Sequence, residues 1–161
     1  MKTRGKRLSA NFKERLHRRC GISENVFRLS SSAAFTGLHT FQSFLSRCGV
    51  HLCRLDLSGV VHLLDDKAFE IISTYCPHLR EVNISGVTGH WMALRSFGES
   101  LPSLQSVIYK DMVNAGDKSL WYLFKATGSR MVNVDLRGCR RMKGRCLRLF
   151  GTALEQVSAE N

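Results

Sequence analysis

From residue 52 onward one short pattern of apolar and polar positions returns at a nearly constant interval. Apolar, two variable, apolar, one variable, apolar is read at Leu52-x-x-Leu55-x-Leu57. It recurs at Leu79-x-x-Val82-x-Ile84, Leu104-x-x-Val107-x-Tyr109 and Met131-x-x-Val134-x-Leu136, with steps of 27, 25 and 27 residues. Strict alternation of this kind predicts a short strand with one buried face. Each strand is followed by apolar residues at i, i+3 and i+7, which predict a helix with one buried stripe. These triplets are Phe69/Ile72/Cys76, Leu94/Phe97/Leu101, Leu120/Leu123/Thr127 and Leu147/Phe150/Leu154, offset by 17, 15, 16 and 16 residues from their strand starts. Such a unit buries its apolar face only by stacking on its neighbour, so the period and the core have one cause.

Turn chemistry agrees with the period. Ser58-Gly59, Ser85-Gly86 and Arg137-Gly138 follow three of the four strands, and Pro77 and Pro102 fall between a helix and the next strand. Weaker copies flank the four units. Phe41/Phe44/Cys48 repeats the helix triplet, Val26-x-x-Leu29 reads as the strand before it, and Leu154-x-x-Val157 begins a further strand. Phe12, Leu16 and Cys20 read as the helix of an incomplete unit, and no polar cap follows Val157. The expectation is therefore a section of a longer array or a truncated form.

The stretch "LCRLDLSGVVHLLDDKAFEIISTYCPHL", with "MVNVDLRGC", resembles the cysteine-containing leucine-rich repeats of F-box proteins. Cys139 stands at the strand-end cysteine position, and Cys76-Pro77-His78-Leu79 matches the helix-end motif. Val60, Val87 and Met112 replace the strand-end cysteine elsewhere, and residues 1–50 lack the F-box pattern itself. The resemblance implies an α/β leucine-rich-repeat solenoid of about four to five repeats, with a concave parallel sheet and convex helices. It further implies the substrate-binding region of an F-box-type subunit of a cullin-based ubiquitin ligase. A Skp-type adaptor and a cullin are implied only if the parent protein carries an F-box.

Composition narrows the alternatives. The chain has 161 residues, 43% of them hydrophobic, which suits one domain with its own core. No apolar run approaches the roughly 20 residues that a membrane span needs. Six cysteines are too few for a disulfide-stapled mini-domain and read as reduced thiols of a cytoplasmic or nuclear protein. The net charge of +11 is uneven: residues 1–24 hold eight Lys/Arg against two acids, and residues 137–148 hold six and no acid. The division expected is a basic segment over 1–24 and a repeat domain over 25–161. Leu8, Phe12 and Leu16 on one face of the basic segment leave a mitochondrial presequence open, and with it a mitochondrial repeat-bearing assembly factor.

Chemistry-bearing motifs are sparse. Cys48-x-x-His51-x-Cys53 has a ligand-like look, but Cys48 and Cys76 occupy core positions of the triplets, and no second paired set follows. No phosphate loop or nucleophile elbow is present, so the expectation is a non-enzyme without metal or cofactor. Recognition is the expected role, on outward residues of successive strands. Three rows follow from the repeat: Arg54, Glu81, Ser106 and Asn133; Asp56, Asn83, Ile108 and Asp135; Ser58, Ser85, Lys110 and Arg137. Their mixed charge points to a protein substrate. The basic cluster at 137–148 is assigned to the solvated outer face of the last helix, since no aromatic residue stands beside it for base stacking. Nucleic acid is thus expected to be an improbable partner, although a basic nucleic-acid-associated repeat protein stays open as a third class.

Overall fold

The computed structural model describes residues 26–28, 37–63, 65–86, 91–112, 116–149 and 156–158. Within them six strands form one parallel sheet in chain order. These are β1 (Val26–Arg28), β2 (Arg54–Asp56), β3 (Glu81–Asn83), β4 (Ser106–Ile108), β5 (Asn133–Asp135) and β6 (Gln156–Ser158). Four α-helices join them: α1 (Leu38–Cys48), α2 (Asp66–Tyr75), α3 (Trp91–Ser100) and α4 (Asp117–Thr127). The class is α/β, and each helix packs on the next in chain order. Among the described residues no helix is long and apolar enough to cross a membrane.

Each strand is only three residues long, so its backbone groups are satisfied almost wholly by its neighbours. The ladder pairs Arg54 with Glu81, Glu81 with Ser106 and Ser106 with Asn133. Beyond the strand ends it continues through Leu57 N–H to Asn83 O at 2.9 Å, Ile84 N–H to Ile108 O at 2.9 Å and Tyr109 N–H to Asp135 O at 2.8 Å. The middle residues Leu55, Val82, Val107 and Val134 point into the core, and all are at most 2% exposed. Their neighbours on either side lie on the open face, as the alternation predicts. At β1 the register departs from the sequence reading. Phe27, not Leu29, aligns with Leu55, so the register is two residues earlier than the Val26-x-x-Leu29 pattern implied.

The helix stripes close the core from the other side. Phe41, Phe69, Phe97 and Phe124, one per helix, are fully buried, and the Phe69 and Phe97 rings meet edge to face at 5.1 Å. Helix α3 approaches α4 closely because Gly98 has no side chain there; a methyl group would fall 3.0 Å from Leu123. Asp65 caps α2 by accepting the Ala68 N–H at 2.9 Å. Helix exits share one turn: Leu52, Leu79 and Leu104 N–H donate to the carbonyls of Gly49, Cys76 and Leu101. Pro77 and Pro102 sit inside two of these turns, where a missing N–H costs nothing.

The last predicted helix differs. Over its described residues, Arg145–Leu149, the chain forms a 3-10 helix, in which Leu147 N–H reaches Gly144 O. The Cys146 N–H, in a first turn that offers no acceptor of its own, is taken by Asp117 of the preceding unit. The segments expected over residues 1–24, and the expected positions Leu29, Phe150 and Leu154, lie outside the described residues.

Phe97→Ala removes a ring from the shared core of two units and leaves a cavity, so it is expected to lower stability by about 3–5 kcal/mol. Urea unfolding followed by circular dichroism checks this. A loss under about 1 kcal/mol would show that neighbouring units do not share a rigid core.

Candidate functional site

Two polar surfaces are set by the strands and the turns after them: the open face of the sheet and the loop after β5. On the open face two of the expected rows follow the ladder, Arg54–Glu81–Ser106–Asn133 and Asp56–Asn83–Ile108–Asp135. The third row, Ser58, Ser85, Lys110 and Arg137, lies past the strand ends.

The second row is tied to the fold itself. Asp56 Oδ1 accepts the N–H of Ser58 at 3.1 Å and its hydroxyl at 2.7 Å, and Asn83 Oδ1 accepts the same pair from Ser85 at 3.1 and 2.7 Å. Asp135 Oδ1 accepts the Arg137 N–H at 3.3 Å. Each carboxylate or amide therefore closes an Asx turn that ends its strand. Ile108 has no such acceptor, and there the Lys110 N–H turns to Ser85 Oγ of the neighbouring unit at 2.9 Å. The sequence pattern Asx-x-Ser, present twice, was the available sign of this role, and a reading based on outward direction alone missed it.

In three of the four units the turn then places a left-handed residue. Gly86 and Gly138 have φ of +85° and +75°, and Asp111 takes the same place in the third unit with φ +56°. Strand-end sulfur groups complete them: Cys139 Sγ donates to Tyr109 O at 2.8 Å, and Met112 Sδ accepts the Gly86 N–H at 3.0 Å. Burial first, with Cys48 nearby, pushes the Cys76 thiol up to about 12, which makes it a neutral core group rather than a nucleophile at neutral pH.

Charges on the open face largely neutralise one another. Arg54 lies 3.7 Å from Glu81, while Asp135 binds Lys110 at 3.0 Å and Arg137 at 2.9 Å. Hydrogen bonds from Arg137 lower the Asp135 carboxyl most; partial burial opposes them, and Lys110 adds to them, leaving it at about 2.

The loop after β5 is different. Arg140, Arg141, Lys143, Arg145 and Arg148 are all exposed, and residues 137–148 contain no acid. None of the five forms an ion pair with another described residue. Their backbone is anchored from α4, where the Asp117 carboxylate accepts the Lys143 N–H at 3.1 Å and the Cys146 N–H at 3.4 Å. Met142 and Leu147 turn inward against the core between these cations.

No family model matches the chain. Over 117 residues, 72% of its length, it is 44% identical to the Caenorhabditis elegans protein named "Putative RNA-binding protein EEED8.10", of which it spans 16%. Over 56 residues, 35% of its length, it is 39% identical to F-box/LRR-repeat protein 4 of Bos taurus, of which it spans 9%. The likeness to an F-box/LRR-repeat protein thus holds for a third of the chain. The longer likeness overturns two expectations: the chain as the substrate-binding region of an F-box subunit with Skp-type and cullin partners, and nucleic acid as an improbable partner. The physical reason for the error is that repeat architecture does not specify a partner, whereas an unneutralised basic loop restricts it.

Asp135 also sets a pH response. Its folded carboxyl lies below its unfolded value of about 3.9, so its contribution is present above about pH 4 and is lost as pH falls toward about 2. Asp135→Asn keeps the Asx acceptor and removes the charge. After allowance for solvent screening, it is expected to cost about 1 kcal/mol at neutral pH. That difference from the parent chain should vanish near pH 2 in urea titrations; a constant difference would contradict the assignment.

Proposed function

We propose that the strand–helix units form a leucine-rich-repeat solenoid and that its basic loop, residues 140–148, binds RNA through backbone phosphates. The observation that carries this reading is the contrast between the two polar surfaces. Cations on the open face are engaged by Glu81 and Asp135, while Arg140, Arg141, Lys143, Arg145 and Arg148 stand exposed with no acid between residues 137 and 148. The 44% identity to a protein named for RNA binding supports the same conclusion. A duplex or strand that meets these side chains releases condensed counterions, so affinity comes chiefly from charge and falls steeply with salt. Arginine suits the task because its planar fork bonds two phosphate oxygens at once. The solenoid supports this by holding the loop on a rigid edge, and the open-face residues Asp56, Asn83 and Asp135 act as strand-end turns rather than as RNA contacts.

The test is RNA binding by fluorescence anisotropy across a salt series, with a labelled mixed-sequence RNA. Joint replacement of Arg140, Arg141 and Arg145 by Ala should weaken binding at least about tenfold and reduce the slope of log affinity against log salt by about 2–3. Arg54→Ala, on the open face, should change affinity less than about twofold. An unchanged slope in the triple variant would remove the basic loop from the account.

A further inference from the structure

The loop that carries the exposed cations has little regular structure of its own, being turns and one five-residue 3-10 helix, Arg145–Leu149. Its shape is set from outside. Asp117 is the first residue of α4, where an acid would ordinarily serve its own helix, yet its oxygens accept the N–H groups of Lys143 at 3.1 Å and Cys146 at 3.4 Å, 26 and 29 residues later in the chain. The loop passes close beside this residue, with the Arg141 carbonyl in ordinary van der Waals contact, 3.9 Å, with the position of a Cβ on Gly116. Partial burial alone would raise the Asp117 carboxyl, but hydrogen bonds from the Lys143 backbone, the Cys146 thiol and N–H, and the Arg145 backbone hold it below the usual range. Several donors of one loop thus converge on one carboxylate.

This placement is electrostatically adverse for a site that attracts an anion. A negative charge beneath five cations subtracts from the potential they create, so simple charge counting predicts that removing it improves RNA binding. Geometry predicts the reverse. Long cationic side chains bind phosphates well only where their backbone is fixed, because an unanchored loop must be ordered on binding. We infer that Asp117 is a positioning residue for the RNA site: its carboxylate clamps the loop from α4 and presents Arg140, Arg141, Lys143 and Arg145 together to successive phosphates. The inference rests on the RNA reading above. The two mechanisms give opposite signs for one substitution, which makes the question decidable.

The experiment compares the full chain with Asp117→Ala and Asp117→Asn, each by RNA anisotropy over a salt series and by amide hydrogen exchange. In Asp117→Ala affinity should fall about tenfold although a negative charge has been removed. Asp117→Asn, which retains one acceptor oxygen, should fall between this variant and the parent. The amides of Lys143 and Cys146 should lose protection, while those of the strands Glu81–Asn83 and Ser106–Ile108 keep theirs, which separates loss of the clamp from loss of the fold. If Asp117→Ala does not fold, the Asn variant carries the same comparison. Equal or tighter RNA binding by the folded variant overturns the positioning role and leaves the RNA reading intact. Absence of RNA binding by the parent chain at low salt overturns both.

Discussion

A three-residue strand cannot satisfy its own backbone or bury its own apolar face, and this constraint organises the molecule. Every strand of the sheet must have a neighbour in register, and every helix must close over the same apolar layer as the helix before it. The ladder from Val26 to Ser158 and the succession of buried phenylalanines from Phe41 to Phe124 are two sides of that requirement. What is left for each unit to vary is the turn after its strand. There the chain must reverse toward its helix while still pairing with its neighbours, so polar side chains are drawn into structural work. Asp56, Asn83 and Asp135 end strands; Ser85 serves both its own unit and the next.

That division explains what the sequence disclosed and what it hid. Inward positions at Leu55, Val82, Val107 and Val134 were legible because burial imposes a period, and a register slip would turn every one of them to water. The rows of the open face were legible for the same reason. Their roles were not, since period two reports the direction of a side chain and says nothing of its hydrogen bonds. That Asp135 faces outward was readable; that it binds Arg137 and Lys110 was not. The start of the last helix was hidden by a related route. The triplet beginning at Leu147 carries the helical spacing, but Arg145–Leu149 form a 3-10 helix whose Cys146 N–H is held by Asp117. A contact across 29 residues leaves no local trace.

The basic loop shows how charge should have been weighed. Ten cations and nine acids between residues 25 and 136 nearly balance, and on the sheet they pair across strands. Residues 137–148 break that balance entirely. Reading them as the solvated side of a helix assumed an outer face, whereas they form a turn and a short 3-10 helix set against the start of α4. Missing aromatic residues argue only against base stacking. They leave phosphate recognition untouched, because that needs fixed guanidinium groups and no ring. On the proposed reading, fold and partner are set by different parts of the chain, the buried strand centres and the turn beyond β5.

The most direct test of this account is a map of amide chemical shifts in the isotopically labelled chain as RNA is added. Shifts concentrated on residues 140–148 and the adjoining start of α4, fading as salt is raised, are what the account predicts. Shifts centred on the strands from Arg54 to Ile108, with the basic loop unmoved, would contradict it and return the open face of the sheet to the role of binding surface.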